Sequence, residues 1–492
     1  DLHSFPTRRS SDLWQSGERA KKAKKDSLSS VSKSDWSVAR LSLSKITIRN
    51  LVRWAAPFAV LLCVTSASSV RAAPKFADIV RFPQSASSYL PTAPDAPITD
   101  YENQKIYASE FLRRYFAPWQ NQDLSYLDLT ADKVRSLLAG VGKRRLFTGN
   151  GKPFPAAELA KIVRRASVDL EAPPVFGIAI ADADVRMLPT GTALYPGRDS
   201  ALGERGLLRM DVLQNSTIKP GEPLAVFGSG GDASWLFVAT GSVIGWVRSK
   251  AVAFVDSDLM DRFMESEWAV FVKDNVRVRD GDGVLRCTAK LGTILPREGD
   301  SVLLPVRGPD GRATIVHYKP ESGDTAVFPV PFTPRNAVRA MDQLMKERYS
   351  WGGANGLRDC SAMTRDYFAL FGIWLPRNSG DQAKTGASIS LGGISAQEKL
   401  RAVVERGIPF ATMVYMPGHV MLYVGIYDAE PVVLHNVWGV RIVGRDGRSG
   451  RAVIGRTVVT GLRVGQELPN RPKSSLFIDN VSALVFPMAN VW

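Results

Sequence analysis

Cys360, His419 and His435 are the residues of this chain whose types and spacing could do covalent chemistry. Cys360 ends the run Tyr349-Ser350-Trp351-Gly352-Gly353-Ala354-Asn355-Gly356-Leu357-Arg358-Asp359, whose glycines and asparagine predict a turn. The apolar period of Ala362 to Phe371 behind it predicts a helix. A thiol at that junction faces free backbone N–H groups and the positive end of the helix dipole, and both favour the thiolate. Downstream, Gly418 to Gly425 predicts a buried strand carrying His419 at its start, and Val432-Val433-Leu434 predicts a second strand carrying His435. A thiol on a helix start and two imidazoles on following strands can act as nucleophile, base and orienter. The chain has four histidines; His3 lies in a leader and His317 in another segment. A small buried cysteine and two core histidines are the plainer alternative.

The elements that must position this trio come late in the chain. His3 to Leu13 resembles the in-frame translation of a sequencing adapter, so residues 1–39 read as a non-native or disordered leader. Residues 40–72 read as a cleaved secretory signal: Arg40, Lys45, Arg49 and Arg53 precede the apolar Ala55–Val64, and Val70-Arg71-Ala72 offers a cleavage site. The apolar run is too short to span a bilayer comfortably, so the mature chain is expected to have no stable membrane span. Leu61 and Leu62 before Cys63 argue against a lipid anchor, and the expected location is periplasmic or secreted. Only Cys287 and Cys360 then remain, which is no disulfide framework. Cys287 reads as a buried residue of its own small domain.

Residues 1–72 hold 13 Lys and Arg against 5 Asp and Glu, so +8 of the formal +15 leaves with them and +7 is spread over the rest. That mild basicity, without a basic helix interleaved with aromatics, points away from nucleic acid. No Cys or His spacing suggests a metal site, and no cofactor is expected.

The Pro-rich residues 73–100 predict a linker or wrapping arm. Residues 101–172 predict a small helical domain, with Tyr107, Phe111, Leu112, Tyr115 and Phe116 on one face, Val134, Leu137 and Leu138 on a second helix after a Thr130 cap, and Leu159, Ile162 and Val163 after Pro155. Residues 173–256 switch to short strands separated by turn signals and predict a small SH3-like β-barrel; residues 257–333 repeat the plan more weakly as a second one. Trp235 and Trp246 are expected in the first barrel's core. Residues 334–492 predict an α+β unit with helices first and sheet after.

Within that last unit, Tyr349-x-Trp351-Gly352-Gly353, Asp359-Cys360-Ser361, Leu375-Pro376-Arg377-Asn378-Ser379 with Gln382, Pro417 to Tyr423 and His435-Asn436-x-Trp438-Gly439 resemble the NlpC-type cell-wall cysteine peptidases. The resemblance implies a papain-like catalytic domain, here preceded by a helical region and two SH3-like barrels, an α+β fold overall. It implies cleavage of peptidoglycan stem peptides, at the bond between D-γ-glutamate and a diamino acid, with Cys360 as nucleophile, His419 as general base and His435 as orienter. It also implicates Asp359 and Ser361 in holding a free substrate amine. Trp351 is expected to bind substrate from the cleft wall, with a place in the core as the plainer alternative. Asp359 could equally cap the helix through its side chain, and Arg377 suits a structural ion pair. Ala362 stands where many members have Gly. The Cys360 backbone N–H could donate to a developing oxyanion, a contact worth about 2.7–4 kcal/mol. Two other functions use the same residues: a non-catalytic wall-binding protein, and a cysteine amidase or acyltransferase on another acyl substrate.

Overall fold

The computed structural model describes residues 76–488. The expected leader, the expected signal segment and Cys63 lie outside the described residues. From Ala77 the chain wraps the last domain before the helical region begins. A short helix, Ala77–Arg81, and a 3₁₀ turn, Ala86–Tyr89, lead through the Pro-rich stretch to the helix Tyr101–Tyr115. Gln84 seals this arm to the catalytic unit, its amide exchanging hydrogen bonds with the backbone of Val459 (2.8 and 3.1 Å).

The helical region follows its sequence signals. Asp100 caps Tyr101–Tyr115, Thr130 caps Ala131–Gly142, and Pro155 precedes Ala156–Arg165. Val134, Leu138 and Leu159 are buried as the apolar period requires, whereas Leu137 points outward. Tyr115 and Phe116 pack in T-shaped and tilted contacts on Trp268, so the helical region shares its core with the second SH3-like domain.

The first SH3-like domain contains β1 (Val175–Ala179), β2 (Ala183–Arg186), β3 (Gln214–Ile218), β4 (Pro223–Ser229), β5 (Trp235–Ala239), β6 (Ile244–Arg248) and β7 (Val252–Phe254). The second contains β8 (Glu267–Phe271), β9 (Val276–Arg279), β10 (Leu285–Ala289), β11 (Ile294–Glu298), β12 (Ser301–Arg307), β13 (Ala313–Tyr318) and β14 (Thr325–Val327). The hydrogen-bonded order is β3-β2-β6-β5-β4-β1-β7 in the first, and β13-β12-β11-β8-β14 with a separate β9–β10 hairpin in the second. Neither sheet closes on itself, a correction to the barrels expected from the strand spacing. The open edges are covered by neighbours instead: β3 by the turn that precedes Cys360, and the end of β7 by a bridge from Phe254 to Arg312. Trp246 is fully buried and Trp235 nearly so, both in the core of the first sheet. Cys287 is buried and free.

The last domain lays two helices, Pro334–Leu344 and Cys360–Ala369, against a sheet of β15 (Ala387–Ser390), β16 (Met413–Met416), β17 (His419–Tyr427), β18 (Glu430–Val443), β19 (Ser449–Gly461) and β20 (Ala483–Phe486), in the order β15-β20-β16-β17-β18-β19. The Cys360 helix packs on β17 and β18, the two interior strands that carry the histidines. Among the described residues no helix is long and apolar enough to cross a membrane.

Candidate active site

Cys360 is delivered by a tight turn. Gly352 and Gly353 both adopt the left-handed region (φ 64° and 76°), and a Cβ on Gly352 would meet Gln214 Cγ at 2.7 Å. Asp359 then caps the helix Cys360–Ala369, accepting from Ala362 N–H at 2.9 Å. Cys360 is thus the first helical residue, 7% exposed.

The histidines sit on neighbouring antiparallel strands. Leu422 pairs with Leu434 and His435 with Val458, so His419, His435 and Thr460 fall on one face of three adjacent strands, each diagonal to the next. Their side chains form a directed chain. Thr460 Oγ1 donates to Gly461 O (2.9 Å), which leaves its lone pairs to accept from His435 Nε2–H (3.0 Å). His435 Nδ1 is then bare and accepts from His419 Nε2–H at 2.9 Å. The assignment leaves His419 Nδ1 as the free basic nitrogen. Phe477 packs its ring against both imidazoles, with centroids 5.7 and 5.6 Å away.

The thiol lies against the backbone N–H groups of Ser361 and Val420, the residue after His419. It makes no hydrogen bond to His419 itself. Burial pushes the Cys360 thiol up to about 12, and the Asp359 carboxylate adds to the rise; the Val420 N–H, Arg377 and the Ser361 N–H oppose it. This corrects the expectation that the helix start would favour the thiolate: removal from water and an adjacent carboxylate outweigh the dipole. Burial likewise takes His419 down to about 4, against the pull of Asp359, and holds His435 well below its ordinary value, with His419 adding to the fall. Both shifts favour the neutral thiol and the neutral imidazole.

Asp359 and Ser361 are spent inside the protein. The Asp359 carboxylate accepts from Gly352 N–H (3.1 Å), Ala362 N–H, Ser361 Oγ (3.2 Å) and two Arg377 nitrogens (3.1 and 2.7 Å). Arg377 also donates to Ser361 Oγ (2.9 Å) and, through Nε, to Ser216 Oγ of β3 (2.9 Å). Burial alone would raise Asp359; Arg377 and these donors hold it below the usual carboxylate range. Trp351 stands on the turn, 38% exposed, beside this cluster.

Four residues at the site take roles that no sequence signal assigned, although Tyr349 belongs to the Tyr349-x-Trp351-Gly352-Gly353 run. Thr460 ends the histidine chain. Half-buried Tyr349 has its phenol raised by burial and then by the charges of Cys360 and Asp359. Gln214 donates to Gly352 O (3.2 Å), so β3 supports the turn from behind. Arg358, two residues before Cys360, is fully enclosed by Asp274 (2.7 Å), Glu347 (2.8 Å) and Asp366 (2.8 Å), and Asp366 also binds Lys219. This network joins both SH3-like domains to the stretch of chain that leads into Cys360.

Comparison with known families agrees with this architecture. Residues 346–448 match the NlpC/P60 family, residues 54–170 the N-terminal NLPC_P60 stabilising domain, residues 208–248 an SH3 domain of SH3b1 type and residues 256–299 one of SH3b2 type. The stabilising-domain match begins inside the stretch expected as a signal. Among solved structures, the chain is similar to an NlpC/P60 endopeptidase from Photobacterium damselae subsp. piscicida, at 22% identity over 83% of this chain and 97% of that one, with a TM-score of 0.73. It is also similar to an NlpC/P60 family protein from Bacillus cereus, at 16% identity over 64% of this chain and 99% of that one, with a TM-score of 0.43. No curated protein matches the sequence.

Proposed function

We propose that this chain, which carries an NlpC/P60 domain behind a stabilising domain and two SH3b domains, is a cysteine peptidase that hydrolyses peptidoglycan stem peptides through an acyl-enzyme. The favoured bond is the one between D-γ-glutamate and a diamino acid. The observation that carries the reading is the aligned chain Thr460–His435–His419, which ends on a free imidazole nitrogen on the strand against which Cys360 packs.

In this mechanism Cys360 Sγ rotates from the Val420 N–H toward His419 Nδ1 as substrate displaces water. Such catalytic hydrogen bonds are commonly long in unliganded structures and close in the substrate complex. His419 takes the thiol proton as sulfur attacks the carbonyl carbon, and His435 stabilises the resulting imidazolium through the Nε2–H bond. The Cys360 backbone N–H and the Tyr349 hydroxyl are the donors near the developing oxyanion. His419 then returns the proton to the departing amine, and the thioester remains. Water, deprotonated by His419, hydrolyses it and regenerates the thiol.

Asp359 and Ser361 serve here by holding Arg377 and the turn, and a substrate amine would have to reach the Asp359 oxygens through the same crowded cradle. The chain acts in the periplasm or outside the cell, on the strength of the signal-like residues 40–72. Cys360→Ala in the full chain, incubated with defined muropeptides and followed by mass analysis of products, tests the reading. Loss of product with an unchanged far-ultraviolet spectrum is expected. Retained hydrolysis would end the thiol mechanism, and a transfer product in place of hydrolysis would favour an acyltransferase.

A further inference from the structure

A large cavity lies away from Cys360. It has a volume of about 860 Å³ and lies where the two SH3-like sheets meet the turn before the nucleophile. Asn355 and Gly356 of that turn line it, together with side chains of β2, β6, β10 and their flanks. Its size is that of a small-molecule or peptide site.

The charges lining it do not cancel. Asp184 is answered locally, by Gln214 Nε2 at 3.0 Å and by the Asn355 N–H. Asp182 is surrounded by Lys219, Lys290 and Arg358, whose charges oppose the rise that burial imposes on it. Arg186 is engaged with Asp211 and Arg286 with Asp280. Two cations are left over. Arg248 and Lys250 line the cavity, and neither forms an ion pair or a side-chain hydrogen bond with any described residue. Arg248 is nevertheless held in place, its guanidinium lying 4.1 Å over the Trp235 ring. A stacked guanidinium keeps its planar edge free for a carboxylate, which it can bind through two parallel hydrogen bonds.

We propose that this cavity binds a carboxylate of the peptide substrate, remote from the scissile bond, through Arg248 and Lys250. The proposal rests on the peptidase reading above, and it favours a carboxylate of that same peptide because the cavity wall and the nucleophile are two parts of one short turn.

The test uses the full chain with Cys360→Ala, so that binding is read without turnover. Stem peptides ending in a free carboxylate and in a carboxamide are titrated calorimetrically against this chain and against the same chain with Arg248→Gln and Lys250→Gln. Amidation should weaken binding about tenfold in the first protein, the scale of losing one charge-assisted hydrogen bond, and should have no effect in the second. Arg248→Gln alone, with melting temperature unchanged, provides a variant whose fold is not in question. Additive losses from amidation and substitution would overturn the proposal, as would substitution without effect, or competition by inorganic phosphate as strong as by the free peptide. If wild-type chain releases no product while this binding pattern holds, the peptidase reading fails and the cavity assignment stands.

Discussion

Thr460→Val removes one oxygen from the back of the site and should slow the front. The substitution keeps shape at a fully buried position, so packing is preserved. What is lost is the acceptor for His435 Nε2–H at 3.0 Å. The imidazole then either keeps that proton unsatisfied in a buried position, at a cost of about 1–3 kcal/mol, or moves it to Nδ1. In the second case His435 donates to His419 Nε2, His419 must carry its proton on Nδ1, and the nitrogen facing Cys360 can no longer accept. Either route raises the barrier by about 1–3 kcal/mol, which is about 5- to 150-fold in turnover. Steady-state assays on a defined stem peptide should show the loss in kcat with KM nearly unchanged, because Thr460 is remote from the substrate. Thr460→Ser keeps the hydroxyl and should recover most of the rate. A folded Thr460→Val chain with kcat within about twofold of wild type would refute the tautomer argument.

Other consequences can be measured directly. With the thiol at about 12 and His419 at about 4, alkylation of Cys360 by a small neutral reagent should climb steadily between pH 5 and 9; a flat rate across that range would indicate a thiolate–imidazolium pair instead. His419 is held at about 4 against an ordinary 6.5, so the unfolded chain takes up the proton first on acidification. Its contribution to stability is full above about pH 6.5 and is lost as pH falls toward 4, a slope that His419→Gln should flatten in denaturant titrations. Asp78, which accepts from Gly461 N–H, runs the other way: burial raises it to about 6, so its contribution is full below about 3.8 and lost as pH rises through 6. Asp78→Asn should therefore gain melting temperature relative to wild type at pH 8 and not at pH 4. Arg358→Met leaves Asp274 and Glu347 as buried carboxylates without their main partner and should destabilise by about 3–5 kcal/mol, read from the denaturant midpoint.

The local setting of Cys360 is a property of a short stretch of chain, and the sequence determined it. Glycines at 352 and 353 demand a turn, Asp359 two peptide bonds before Ser361 offers a cap, and the apolar period behind them can only be buried as a helix. The same holds for the Thr130 cap and for the strands that carry His419 and His435. Tertiary structure decided the rest, because it depends on groups distant in the chain. Thr460 joins the histidines only through the register of β19 on β18. Arg358 meets Asp274 across 84 residues, and Arg377 meets Ser216 across 161. The thiol's protonation follows the same rule: a helix start is legible locally, but the removal of water from Cys360 is done by a whole domain packed around it, and desolvation is the larger effect.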